Sequence, residues 1–180
     1  MSVSAFNLTT GQRAERKLLI TVAEWTEGSS QVREVLGTRT EDSSIEYNAD
    51  ISTTTDILGN NYTDINKTQP QQDFDPYLVL GGSALGAKLN DIRKRNALSE
   101  LSQFTMYIIT AFVGTPETFT AGVSNNDGAY EAEKHTGCTI TYNSIGGDSN
   151  VNFPISVYFS NKITNGTVDK LSDDFTFTTT

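Results

Sequence analysis

Residues able to do chemistry are few: one histidine, His135, and one cysteine, Cys138, in 180 residues. Three positions apart, the two could hold one metal ion only with ligands brought from elsewhere. Glu131, Glu133 and His135 alternate along a strand pattern, which gathers a carboxylate–imidazole donor set on one face. Alternation in any wet strand produces the same pattern, so these positions read as an exposed polar strand face. A Ser–His–Asp nucleophile needs a sharp turn to present it, and no Gly-x-Ser-x-Gly occurs. Asn125-Asn126-Asp127-Gly128 has the look of a calcium loop, but that frame puts Val123 at position 1 and Lys134 at position 12, so it is read as a turn. Gly81-Gly82-Ser83-Ala84-Leu85-Gly86 lacks both dinucleotide-binding spacing and a phosphate-binding lysine. Its Gly82–Gly86 pair has no membrane span around it. Asp73 and Asp75, between Pro70 and Pro76, read as a surface connector rather than a carboxylate pair. No catalytic constellation survives, and no enzyme activity, metal or cofactor is expected.

The elements that would carry such residues are mostly strands. In SIEYNADI (44–51), Ile45, Tyr47, Ala49 and Ile51 alternate with polar residues, which predicts a half-buried strand. Thr53, Thr55 and Ile57 extend that face, Gly59-Asn60-Asn61 turns the chain, and Tyr62–Thr68 returns. Ile57 and Ile65 are expected to anchor inward. Lys17–Trp25 reads as an earlier strand, and Gln31–Leu36 as a shorter one after a turn at Gly28-Ser29-Ser30. Phe104–Val113 is apolar on both faces and is expected to be the central strand. Cys138–Tyr142, Asn152–Ser160 and Gly166–Lys170 follow, with a hairpin expected at Asn165-Gly166 and Phe175–Thr180 as a last strand or loose tail. In SALGAKLNDIRKR (83–95), Leu85, Leu89 and Ile92 fall on one helical stripe. Ser83 can cap that helix, and the basic residues at its end suit the helix dipole. The fold class is mainly β: an antiparallel sandwich or barrel, one helix at 83–95, and extended arms.

Size fits one domain over 1–180, with 1–16 as an N-terminal arm and 170–180 as a C-terminal tail. A chain of this length buries roughly 70% of its unfolded surface without disulfides, and Cys138 has no cysteine partner. No signal-like apolar core begins the sequence, and its longest apolar run is too short to span a bilayer. A soluble protein in a reducing cytoplasm is therefore expected, with the Asn-x-Ser/Thr matches there by chance. The net charge of −9 is uneven. Residues 24–75 carry eleven acids and three bases, whereas 83–103 carries four bases (Lys88, Arg93, Lys94, Arg95) and two acids. Overall acidity disfavours nucleic-acid binding. The split reads first as solvated surface charge, and alternatively as one copy's acidic face meeting another's basic helix. A sugar- or peptide-binding sandwich would need an exposed aromatic platform, and Trp25 sits in a core-like strand.

The order of pieces between Ser44 and Val113 resembles the major tail (tail tube) proteins of long-tailed bacteriophages, chiefly those infecting Gram-positive bacteria. The pieces are STTTDILGNNYTDI, KTQPQQDFDPY, LGGSALGAKLNDIRKRNAL and FTMYIITAFV. Ser83 departs from the pattern, which has an acid after the glycines. The resemblance implies homohexameric rings of β barrels stacked into a hollow tube for genome delivery. It implies as partners other copies of the chain, a tape-measure protein, and tail-tip and terminator proteins, with DNA passing unbound. It places the protein in the virion tail, and in the host cytoplasm before assembly. Inner tubes of contractile tails and of type VI secretion are similar in fold; they, tail terminators and capsid-decoration proteins are the alternatives. Candidate contacts between subunits are Asp56, Asp64, Asp73, Asp75, Tyr77, Lys88, Arg93, Lys94 and Arg95. The Thr-rich ribbon around Asp56 and Asp64 is expected to be a pairing edge, and Met1–Arg16 is expected to order on assembly.

Overall fold

Strand-forming sequence on both sides of Gly28 gives the first hairpin. In the computed structural model, which describes residues 6–8, 10–40, 42–116 and 128–180, β1 (Leu19–Glu27) pairs antiparallel with β2 (Ser30–Val35). Gly28, at φ 62°, supplies the left-handed turn. The chain continues through β3 (Ile45–Glu46), β4 (Asp50–Thr55), β5 (Asn61–Lys67) and β6 (Gln71–Phe74). Helix α1 (Ala84–Arg95) precedes β7 (Phe104–Pro116), β8 (Gly128–Tyr142), β9 (Ile155–Tyr158), β10 (Ile163–Val168) and β11 (Phe177–Thr179). The main sheet is antiparallel in the order β2-β1-β7-β8-β9-β6-β3, with β10 also on β8 and β11 on β10. β4 and β5 form a separate two-stranded sheet.

The doubly apolar strand 104–113 is central, as its composition requires. Met106 and Ile108 enter one core, while Tyr107 and Ile109 enter another on the opposite face. β8 serves both halves of the fold. Its residues Tyr130–His135 pair with β10 and Thr139–Tyr142 with β9. Between them Gly137 (φ 74°) is an extra residue opposite the Phe104–Thr105 step, a bulge that redirects the strand. The first core lies beneath α1, with Leu85, Leu89 and Ile92 each fully buried on the helix stripe and Trp25 edge-on to Phe104. Each such burial is worth about 1.5–3 kcal/mol.

The second core is closed by the C-terminal segment. Phe175 packs against Tyr107, and Arg33 of β2 donates from Nη1 to the Phe175 carbonyl at 2.6 Å, with its guanidinium over the Phe175 ring. Arg33 Nε also pairs with buried Glu24 at 2.6 Å, which in turn accepts from Tyr107. Burial first, and Glu24 second, push the Tyr107 phenol up to about 12. Residues 177–179, left open as strand or tail, are therefore a strand. At the other end of the chain, Phe6 bridges Val113 and Asn7 donates to the Phe112 carbonyl.

Three expectations are corrected. Residues 44–51 do not form one half-buried strand: Asn48, at φ 36°, breaks the ribbon between β3 and β4, and Tyr47 and Ile51 are exposed. Asn165-Gly166 is not a turn, because β10 runs straight through it. Glycine is there for close approach, since a Cβ would meet the Thr178 carbonyl oxygen at 2.3 Å and the Phe177 ring at 2.6 Å. Gln71–Phe74 is not a connector but an interior strand between β9 and β3, with Gln72 and Phe74 buried. The expected turn at 125–128 lies almost wholly outside the described residues.

Candidate functional site

The most unusual surface is the arm made by β4 and β5. Among the described residues these strands pair only with each other, and both faces meet solvent. The register opposes Ile51 to Ile65 and Thr53 to Thr63, giving one β-branched face; Ser52, Thr54, Tyr62 and Asp64 occupy the other. Ile57 and Ile65, expected to point inward, are 103% and 66% exposed, because the arm leaves the body instead of packing on it. The turn itself is rigidly built. Asp56 Oδ1 accepts from the Leu58 and Asn60 amides at 2.8 and 2.9 Å, and its Oδ2 from the Asn60 side chain and the Tyr62 hydroxyl. These bonds, led by Asn60, hold the Asp56 carboxyl below its ordinary range. At the apex they present Ile57 and Leu58 to water. A two-stranded hairpin is marginal alone, and apolar side chains at its tip favour a partner surface.

Beside the root of the arm is a cavity of about 470 Å³. It lies where β1 and the residues after β2 face β6 across a seam closed by side chains. Thr21 Oγ1 donates to Gln72 Oε1 at 2.8 Å, and Arg16 reaches over to the Ser43 carbonyl. Leu36 and Phe74 are buried in its floor, and Arg16, Lys17 and Thr38 stand at its rim. Gln72 is 1% exposed, and its Nε2 has no hydrogen-bond partner.

The remaining predicted contacts are dispersed. Asp64 is exposed on the arm. Asp73 is bound by Gln71 Nε2 at 3.0 Å, and Asp75 by Asn152 Nδ2 at 3.1 Å. Tyr77 is buried, donating to Glu34 at 2.8 Å beside Ser83 Oγ at 2.9 Å; burial pushes its phenol well up. Lys88 pairs with Glu100 at 2.7 Å, and Arg95 with Glu100 and Asp91. Arg95 first and Lys88 second bring the Glu100 carboxyl down to about 2. Arg93 bonds Asn90, and Lys94 is exposed. Much of the helix's positive charge is thus matched within the chain.

Glu34 was not foreseen. Its Oε1 accepts from Tyr77 and Ser83, and its Oε2 from the Leu85 amide at 2.9 Å. An acid does sit at the helix start, supplied by β2 instead of position 83, while Ser83 Oγ caps the Gly86 amide at 3.0 Å. No sequence signal links residues 51 positions apart.

His135 is 2% exposed, not on a wet face, because Phe159 covers it where β8 changes partners. Its Nδ1 lies 2.9 Å from the Ser160 carbonyl oxygen, and its Nε2 3.3 Å from Glu133. Burial pushes the Cys138 thiol up. Among the described residues no group of three or more His, Cys, Asp or Glu is placed to hold a metal, and no helix is long and apolar enough to cross a membrane.

No family profile and no curated protein match the sequence. Among solved structures, a chain of the anti-feeding prophage cap (the tube terminating cap) aligns at 16% identity and TM-score 0.47. That alignment covers 93% of this chain and 99% of the other. A chain of the anti-feeding prophage baseplate aligns at 8% identity and TM-score 0.44, covering 88% and 97%. At these values the likeness is one of general shape and assigns no role.

Proposed function

We propose that this chain is a non-enzymatic structural subunit of a phage tail tube, forming homohexameric rings that stack into a conduit for genome delivery. The observation that carries this reading is the arm: a hairpin with a locked turn and an apolar tip, whose strands pair only with each other among the described residues. Such a segment is suited to completing itself on another copy. Among the described residues β2, β3 and β11 are sheet edges that offer further strand pairing, a liability in a monomer and an assembly device in a ring. Net acidity suits a conduit for DNA, since an acidic protein repels phosphates instead of binding them. The order of segments over 44–113 supports the tail-tube class specifically. In that reading the partners are further copies, a tape-measure protein, and tail-tip and terminator proteins. The subunit is then a component of the virion tail that waits in the host cytoplasm before assembly.

Replacing Asp50–Lys67 by a two-residue turn tests the reading. Tyr47 and Gln69 are already hydrogen-bonded across the arm's root, so the body should keep its fold. The expected result is a protein with unchanged near-ultraviolet dichroism that sediments as a monomer at concentrations where the intact chain assembles. Assembly unaffected by the loss of the arm would overturn it.

A further inference from the structure

We infer that the arm's tip, Ile57-Leu58, inserts into the β1–β6 seam cavity of a second copy of this chain, joining copies head to tail. This rests on the self-assembly reading above and names the receiving surface. The tip is not in its own cavity, because both residues are almost wholly exposed. Three properties of the cavity match it. Its volume, about 470 Å³, is that of a small-ligand site and exceeds what two aliphatic side chains need, and Leu36 and Phe74 give it an apolar floor.

Charge also matches. Of the described residues lining the cavity, Arg16 and Lys17 are cationic and none is acidic; Lys17 is paired with Glu15 at 2.5 Å, so Arg16 carries the charge match. Among the described residues the Arg16 guanidinium bonds to carbonyl oxygens, those of Leu19 and Ser43. The arm brings Asp50, Asp56 and Asp64 against Lys67. Complementary potentials of this kind fix the register of a contact.

The third match is a hydrogen bond. Gln72 Nε2 is a buried donor without an acceptor, a state that is unfavourable unless a partner arrives. The Ile57 and Leu58 carbonyls, on the turn held by Asp56, accept no hydrogen bond among the described residues. A turn fixed beforehand loses little conformational freedom on docking. Because tip and cavity are different surfaces, the contact is heterologous and propagates into closed rings or open filaments.

Two complementary variants test this. Ile57→Asp with Leu58→Asp disables the tip and leaves the cavity intact. Thr38→Trp fills the cavity mouth from an exposed position and leaves the tip intact. Losing two buried aliphatic side chains should weaken the contact on the order of 10²–10⁴-fold, so each variant alone should sediment as a monomer. Mixed in equal amounts, they should pair one to one through this contact, because one good tip meets one good cavity. Thr38→Trp assembling as well as the unmodified chain, or a mixture that stays monomeric, overturns the inference while the tube reading stands. An unmodified chain that stays monomeric overturns both. Should Thr38→Trp misfold, Leu58→Cys combined with Thr38→Cys decides: oxidation of the assembled protein should give a ladder of covalent oligomers, and its absence overturns the inference.

Discussion

Replacing Glu34 by alanine removes the acid that fastens helix α1 to β2. Three donors converge on this carboxylate, the Tyr77 hydroxyl at 2.8 Å, the Ser83 hydroxyl at 3.0 Å and the Leu85 amide at 2.9 Å. Hydrogen bonds to a charged group each contribute about 1.5–3 kcal/mol. The three share one partly exposed carboxylate, and water can reach the Ser83 hydroxyl, so their sum overstates the loss. A carboxylate at a helix N-terminus adds about 0.3–1 kcal/mol. The net expectation for Glu34→Ala is a loss of about 2–4 kcal/mol, read as a melting temperature lower by roughly 4–16 °C for a domain of this size. Glu34→Gln keeps one acceptor but turns an amide N–H₂ toward a donor, and should lose about half as much. Thermal and urea unfolding measure both, with Lys94→Ala as a control expected within about 0.5 kcal/mol of the parent. Equal stability of Glu34→Ala and the parent would refute the assignment of Glu34 as the helix anchor.

Two further outcomes follow from the same geometry. Gly166→Ala places a methyl group against the Thr178 carbonyl and the Phe177 ring, so β11 must shift. A loss of about 1–3 kcal/mol is expected, with hydrogen exchange accelerated at 177–179; unchanged exchange there would show that β11 is not held as described. In acid, the folded Glu100 carboxyl stays ionised down to about 2, against an ordinary value of 4.5, held first by Arg95 and then by Lys88. A depressed folded value contributes stability that is complete above the ordinary value. That stability is lost as pH falls from about 4.5 toward 2, so Glu100→Gln should flatten this part of the stability profile, and an identical profile would contradict the pairing.

Legibility followed the range of the interactions. The helix was readable because its determinants are local: a stripe at Leu85, Leu89 and Ile92, and the Ser83 cap. Strand 104–113 was readable because burial on both faces leaves no polar alternation. The arm's strands and turn were also found, but its orientation was not. Period-two alternation says that residues share a face and is silent on whether a body lies against it. The Asn165-Gly166 pair misled for a related reason: glycine permits a turn and equally permits Phe177 to lie over the backbone. His135 was misplaced because the bulge at Gly137 and the ring of Phe159 bury a position that alternation alone leaves wet. At the site, Asp56 was picked out for its charge, whereas the structure uses it to lock the turn. Glu34 and Gln72 act across 51 residues each, toward Leu85 and Thr21, and no local pattern marks such pairs.

Negative-stain electron microscopy of the concentrated intact chain tests whether its copies build a tube. Six-fold rings and long hollow tubes of uniform width are expected. Only monomers at high concentration, unchanged when tail-tip initiator proteins are added, would contradict it.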